Sequence, residues 1–190
     1  MTRRVPILAT LLVIAAVATM IALGVWQLHR LAWKEDLIAR YRQAEMMTTN
    51  APWPRTPAEA ERSLYRRAAF DCRAASAPAS VSGRSAAGAP GIAHTADCTL
   101  PDGTIARVVL GWSRDPQPVA WSGGPVSGTL APGPRLVADP PVAGLAANAR
   151  PDPADLPNNH WSYAMQWFLF ALTATVIYAL ALRRRMRVSG

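Results

Sequence analysis

The fold of this chain is decided by residues 5–28, VPILATLLVIAAVATMIALGVWQL, which contain no charged side chain. A second uncharged run, WSYAMQWFLFALTATVIYALAL, occupies residues 161–182 near the other end. The hydrocarbon core of a bilayer is about 30 Å thick and is crossed by about 20 apolar residues of helix, a length that both runs reach. The sequence therefore predicts two transmembrane helices, at residues 5–28 and 161–182.

The 132 residues between these runs, 29–160, predict a small β-rich domain, so that the chain as a whole is expected to be an α+β membrane protein. Candidate strands at 65–72, 92–100, 104–112 and 126–130 are separated by clusters of Pro, Gly and Ser. Pro101-Asp102-Gly103 predicts a hairpin turn, because proline fixes one backbone dihedral and glycine accepts a positive φ.

Other parts of the middle region carry weaker signals. Apolar residues at near-helical spacing predict a helix that leaves the membrane over residues 28–47. Thr56-Pro57-Ala58-Glu59 predicts the capped start of a second, short helix. Residues 74–91 are mostly Ala, Ser, Gly and Pro and can bury little, and residues 131–157 carry seven prolines and are expected to be mostly irregular.

The net charge of +8 is concentrated at the two ends. Six arginines flank the predicted spans closely: Arg3, Arg4, Arg183, Arg184, Arg185 and Arg187. Short arginine-rich flanks stay in the cytoplasm, whereas long loops cross largely regardless of charge. We therefore expect cytoplasmic tails at 1–4 and 183–190 and a periplasmic (or intermembrane-space) domain at 29–160. The middle region has no continuous basic stripe, so we expect no nucleic-acid partner.

A cleaved signal peptide is the alternative reading of the first run. Arg3 and Arg4 supply a basic start, and small residues follow at Ala15, Ala16 and Ala18. A signal peptide has a shorter apolar core of about 7–15 residues. The length of this run and the helical pattern after it favour a retained span.

The two cysteines, Cys72 and Cys98, both fall in the domain expected outside the cytoplasm. In an oxidising compartment such a pair commonly forms a disulfide. Free thiols and a metal site such as copper are the alternatives, although no Cys-x-x-Cys spacing is present.

Two helix faces near the outer membrane boundary could bind a flat ligand. Residues spaced for one face are His160, Tyr163, Ala164 and Trp167 on the second helix, and Trp26, Arg30 and Trp33 on the first. They could form an aromatic slot that holds an imidazole, with Arg30 and Lys34 as cations for carboxylates. The same pattern is also typical of an ordinary interfacial belt, in which His160 is a polar residue at a helix entrance beside Asn158 and Asn159.

Two amides, Gln27 and Gln166, lie within or near the expected lipid slab, where polar side chains usually face a partner or a cavity. The sequence contains no nucleophile elbow, phosphate loop, zinc signature or paired carboxylates, so no enzyme activity is expected.

Two longer motifs carry a family resemblance. Residues 24–34, GVWQLHRLAWK, and residues 159–168, NHWSYAMQWF, resemble the two helix motifs of the Surfeit locus protein one family. Gly111-Trp112 followed by Pro116 is similar to that family's Arg-Gly-Trp-x-Pro stretch, with Leu110 in place of the arginine, and Tyr65-Arg66-Arg67 stands where the family opens its first strand.

The resemblance implies an assembly factor for cytochrome c oxidase in the bacterial inner membrane. Bacterial members of the family resemble carriers that pass haem a to the catalytic subunit, and haem a synthase is the other expected partner. The resemblance makes His160 the axial ligand of the haem iron. Helix spacing adds Trp167, Tyr163 and Trp26 as ring contacts and Arg30 or Lys34 as partners of the propionates.

Two other functions stay open at this point. The protein could be a scaffold that touches no haem and docks on the oxidase through Gln27, Gln166 and the aromatic side chains. It could also be a membrane-anchored periplasmic binding module that is unrelated to the oxidase.

Overall fold

The computed structural model describes residues 6–188, which form two compact units. One unit contains the described residues up to Leu37 together with those from Pro157 onward, and the other is Ile38–Leu156. The predicted cytoplasmic tail at 1–4, with Arg3 and Arg4, lies outside the described residues.

Two long helices provide the candidate membrane spans. Helix α1 covers Ile7–Glu45 and helix α3 covers His160–Val188, and both are long and apolar enough to cross a membrane. Helix α1 runs without a break from the predicted span at residues 5–28 into the helix predicted at residues 28–47, because no glycine or proline interrupts the residues after the span. Helix α3 continues past the predicted end at residue 182 and includes the arginines from Arg183 to Arg187. The prediction of an α+β membrane protein is confirmed.

The two helices pack through small and hydrogen-bonding residues. Ala164 and Ala171 are buried on α3, and Gly24 is buried on α1. Near the other end of the pair, the hydroxyls of Thr10 and Tyr178 share a hydrogen bond of 2.5 Å. Small residues let helix backbones approach closely, and hydrogen bonds between helices are favourable in lipid. This packing joins two segments that lie far apart in the sequence.

The second unit is built on one mixed sheet. Its strands are β1 Arg67–Cys72, β2 Ala74–Ala75, β3 Ala79–Arg84, β4 Pro90–Thr99, β5 Ile105–Ser113, β6 Gly124–Ala131 and β7 Arg135–Ala138. The order is β1-β6-β7-β5-β4-β2, and β3 pairs with the first part of β4. All pairs are antiparallel except β5 with β7. The predicted hairpin turn at residues 101–103 joins β4 to β5.

The sheet curls into a half-barrel because its two edges are adjacent in the chain. Strand β1 lies at one edge and β2 at the other, yet only Arg73 separates them. Alternate residues point inward and form the core, with Leu110, Leu130 and Leu136 fully buried. Many of the other core residues are alanines, so the domain buries little apolar volume for its size.

A disulfide joins Cys72 on β1 to Cys98 on β4, with the two Cα atoms 5.5 Å apart. These strands are not neighbours in the sheet: β1 is one edge strand, and β4 lies next to β2, the other edge strand. Closing a loop between residues 26 apart contributes about 3–4 kcal/mol on the chain-entropy model. The bond therefore compensates for the small core.

An ion pair crosses the β4–β5 hairpin on the exposed face. Arg107 donates from Nε to Oδ1 of Asp97 at 2.8 Å and from Nη2 to Oδ2 at 3.2 Å. The two residues are direct partners in the antiparallel register. The hydrogen bond from Arg107 lowers the pKa of Asp97 below its ordinary value of 3.8.

A short helix, α2, covers Pro57–Ser63 as predicted. The hydroxyl of Thr56 accepts a hydrogen bond from the backbone N–H of Glu59 at 3.2 Å. The carboxylate of Glu59 accepts in return from the backbone N–H of Arg55, one residue before the cap, at 2.8 Å. This reciprocal pair is a variant of the predicted capping box.

Two segments contain strands that the sequence did not predict. Residues 74–91 contain β2 and β3, and most of β3 is exposed, so the segment is extended although it buries little. Residues 131–157 are mostly irregular, as expected, but they also contain β7, which lies inside the sheet between β6 and β5 and buries Leu136 completely. Strand β7 forms because two neighbouring strands supply its hydrogen bonds.

Candidate functional site

The candidate site is centred on His160, the first residue of α3. Its Nδ1 lies 2.7 Å from Oε1 of Gln27 on α1, although 133 residues separate the two in sequence. His160 is partly exposed, as is Gln27. The contact brings together the two family-like motifs of the sequence at one point of the helix pair.

The hydrogen bond to Gln27 determines which ring nitrogen of His160 carries the proton. A carbonyl-type oxygen can only accept, so Nδ1 must be the donor. In the neutral imidazole Nε2 then keeps its lone pair, and it forms no hydrogen bond within the part of the chain that the structure describes. A histidine that is held in this way is suited to binding a metal, since ligating histidines usually donate their other N–H to a fixed acceptor.

The first-helix residues of the predicted slot form a cationic and aromatic surface. The guanidinium carbon of Arg30 lies 4.1 Å from the ring centroid of Trp33, a cation–π contact. Trp26 is 55% exposed and Trp33 is 43% exposed, while Lys34 is partly buried. Exposed indoles on an apolar helix are typical of the boundary between lipid and water.

The second-helix residues are only partly assembled around His160. Trp167 is partly buried and meets the ring of Phe170 edge-on, with centroids 6.2 Å apart. Tyr163 is 50% exposed. Among the described residues, no hydrogen bond joins His160 to Tyr163, Trp167 or Trp26. The structure thus brings His160 to Gln27, and within the described residues no hydrogen bond joins this pair to the aromatic side chains of the predicted slot.

The two glutamines have different surroundings. Gln27 was expected to contact another protein, and the structure gives it an internal partner, His160. Gln166 is exposed on α3, and its amide forms no hydrogen bond with any residue that the structure describes. As contacts with another protein, both amides remain predictions.

The other two histidines lie elsewhere. His29 is exposed on α1. His94 is fully buried in β4, and its Nε2 lies 2.9 Å from the hydroxyl of Ser113, which in turn donates to the carbonyl of Asp115. His94 therefore fixes the end of β5, the strand that contains Gly111 and Trp112, and the start of the loop after it. Within residues 6–188, no group of three or more His, Cys, Asp or Glu side chains could hold a metal ion.

Sequence reasoning missed the close approach of Gly24 to Phe168 and the pair formed by Thr10 and Tyr178. A Cβ placed on Gly24 would lie 2.6 Å from Cε1 of Phe168. The contact between Gly24 and Phe168 had a signal in the sequence, because Gly24 belongs to the first helix motif and Phe168 to the second. What the sequence lacked was the register of one helix against the other.

Comparisons with known proteins bear on the same region. The model of the SURF1 family matches residues 14–172, which include both helix motifs and the whole sheet. Comparison with curated proteins and with solved structures gives no significant match.

Proposed function

This chain belongs to the SURF1 family, which is linked to assembly of cytochrome c oxidase, and we propose that it carries haem a to the catalytic subunit of that oxidase. Haem a is the cargo, with His160 as the axial ligand of its iron. No chemical reaction is assigned to the chain.

The hydrogen bond between His160 and Gln27 is the observation that supports this proposal. In the neutral imidazole, which is the form that binds iron, this bond uses the proton on Nδ1 and leaves the lone pair of Nε2 available. Gln27 is then a positioning residue that fixes the ring and its tautomer. An N-terminal polar residue of an ordinary interfacial belt would not need a partner on the other helix.

The surrounding side chains fit the remainder of a haem. Porphyrin faces are apolar, and the indoles of Trp26 on α1 and Trp167 on α3 could offer apolar contact area. The propionates are anions, for which Arg30 and Lys34 provide cations one and two turns from Gln27. A single axial bond with aromatic contacts is also appropriate for a carrier, because the cargo must be released.

The proposed location follows from charge and from the disulfide. The arginines from Arg183 to Arg187 close α3 and favour a cytoplasmic end. The bond between Cys72 and Cys98 favours an oxidising compartment for the sheet domain. We propose the bacterial inner membrane, with a periplasmic domain, cytoplasmic termini and haem a synthase as the source of the cargo.

The experiment is an absorption spectrum of the full-length protein purified in detergent from cells that make haem a. We expect a Soret band that is present in the wild type and in His29→Ala and lost in His160→Ala. His29 is a matched control because it is an exposed histidine two residues from Gln27. A Soret band of unchanged height and position in His160→Ala would overturn the assignment of the axial ligand.

A scaffold that binds no haem is the second candidate, favoured by the amide of Gln166, which is exposed and has no hydrogen-bond partner in the part of the chain that the structure describes. The two functions predict different effects of His160→Ala on the oxidase, which is the client in both cases. A scaffold predicts normal oxidase assembly with His160→Ala, whereas a carrier predicts oxidase that lacks haem a.

A further inference from the structure

Helix α3 has polar side chains on two of its faces, and within the described residues only one of these faces has hydrogen-bond partners. On the first face, Tyr178 bonds to Thr10, and the hydroxyl of Thr175 donates to the carbonyl of Ala171 at 2.7 Å. The polar residues of the second face are Ser162, Gln166 and Thr173. All three are exposed, and their side chains form no hydrogen bond with any residue in the described range 6–188.

The second face has the spacing of a helix–helix seam. At about 100° per residue, Ser162, Gln166 and Thr173 fall within an arc of about 40°. With the apolar positions between them they recur every four and three residues, as in a coiled coil, over Ser162, Gln166, Leu169, Thr173, Val176 and Leu180. Leu169 is 59% exposed and Val176 is 47% exposed. The seam that packs on α1 lies on roughly the opposite side of α3 and contains His160, Ala164 and Ala171.

An unpaired amide in lipid indicates what covers this seam. Gln166 lies six residues into α3, or about 9 Å from its start, where lipid offers no hydrogen-bond partner. Polar side chains at such positions face another helix, a cavity or a functional group. Lipid tails can pack against the leucines and the valine, but they offer no hydrogen-bond partner to Gln166 or Thr173.

We propose that the seam from Ser162 to Leu180 docks a transmembrane helix of the oxidase client, which offers hydrogen-bonding side chains opposite Gln166 and Thr173. The identity of the client rests on the proposed function, whereas the docking surface rests on the seam itself. Charge disfavours a second copy of this chain, because parallel α3 helices would bring two clusters of arginines, Arg183 to Arg187, side by side. Helix α3 would then lie between α1 and the client, so that His160, on the α1 side of α3, is one helix away from the receiving protein.

The test is photo-crosslinking of the full-length protein in membranes that also contain the client. A photoreactive phenylalanine derivative is placed at Leu169 in the seam or at Phe170, which is adjacent, similarly exposed at 52% and about 100° around the helix. We expect the probe at Leu169 to form an adduct with an oxidase subunit and the probe at Phe170 to form little.

The polar contacts are tested by substitution in the probe-bearing chain. Gln166→Leu combined with Thr173→Val should lower the yield of the adduct about five- to tenfold, since each contact between helices in lipid is modest. Thr175→Val is the matched control and should leave the yield unchanged, because Thr175 bonds to its own helix. The Soret band should persist in all of these variants, since none of them alters His160 or Gln27.

Several outcomes would overturn the docking surface: equal adducts from Leu169 and Phe170, an adduct with a second copy of the chain, or full yield with Gln166→Leu and Thr173→Val. The proposed haem function fails separately. If the chain with the probe at Leu169 forms the adduct but the wild-type protein has no Soret band, the result supports the docking surface and contradicts the proposed binding of haem.

Discussion

Gly24 on α1 lies directly against the ring of Phe168 on α3, so close that a Cβ on the glycine would stand 2.6 Å from Cε1 of the ring. A larger residue at this position would have to displace the ring, which occupies the volume next to the glycine. Gln27 follows three residues later on the same side of α1 and meets His160. The contact of Gly24 with Phe168 therefore sets the distance and register at which the candidate ligand is held.

Replacement of this glycine should loosen the helix pair. Gly24→Val is expected to lower the free energy of unfolding by about 1–3 kcal/mol, the usual cost of overpacking, and to weaken the Soret band. Thermal unfolding of the detergent-solubilised protein measures the first effect. Ala22→Val, on an exposed face, is the control and should change neither. Phe168→Ala in the Gly24→Val chain should recover part of the loss, and a double variant that is worse than either single one would contradict the contact.

Substitution of Gln27 should weaken haem binding without removing the ligand. Gln27→Leu leaves His160 in place but takes away the acceptor for Nδ1–H, and loss of such a partner typically lowers metal affinity about 10–100-fold. Titration of the apoprotein with haem, followed in the Soret region, measures the affinity. Gln27→Glu keeps an acceptor oxygen and should bind nearly as well as wild type. Equal affinity in wild type and Gln27→Leu would show that the amide does not position the ring.

The parts of the fold that could be predicted are those with strong local signals. Two uncharged runs fixed both membrane helices, and Thr56 with Pro57 marked the start of α2. Strand β7 could not be predicted, because Arg135-Leu-Val-Ala is only four residues long and follows Pro132 and Pro134. Its hydrogen bonds come from β5 and β6, so the strand exists only in the folded sheet.

The candidate site was predictable in its members but not in its contacts. Periodicity placed His160 and Trp167 on one face of α3, and Gln27 was recognised as a polar group in lipid. That Gln27 bonds to His160 depends on the register of two helices 133 residues apart, which no local pattern encodes. For the same reason the amide was assigned to an external partner.

Loss of the disulfide should destabilise the sheet domain. Cys72→Ser combined with Cys98→Ser removes the link between the edge strand β1 and strand β4 and is expected to cost about 3–4 kcal/mol. Chemical denaturation of the full-length protein measures the effect, and mass shifts after thiol alkylation report whether the wild type is oxidised in the cell. A reducing agent should destabilise the wild type and leave the double variant unchanged. Alkylation of both cysteines in protein taken directly from the membrane would contradict the bond.

Acid should weaken the exposed pair formed by Asp97 and Arg107. The hydrogen bond from Arg107 lowers the pKa of Asp97 in the folded protein, so the pair stabilises the fold above the ordinary value of 3.8. That contribution is lost as the pH falls from this value through the lower pKa of the folded state. Because both side chains are more than a third exposed, water and salt screen the pair, and Asp97→Asn should cause only a small loss at pH 7. The stability difference between wild type and Asp97→Asn, followed by denaturation from pH 7 to pH 2, should shrink toward the acid end. A difference that is constant over this range would mean that the carboxylate contributes nothing through its charge.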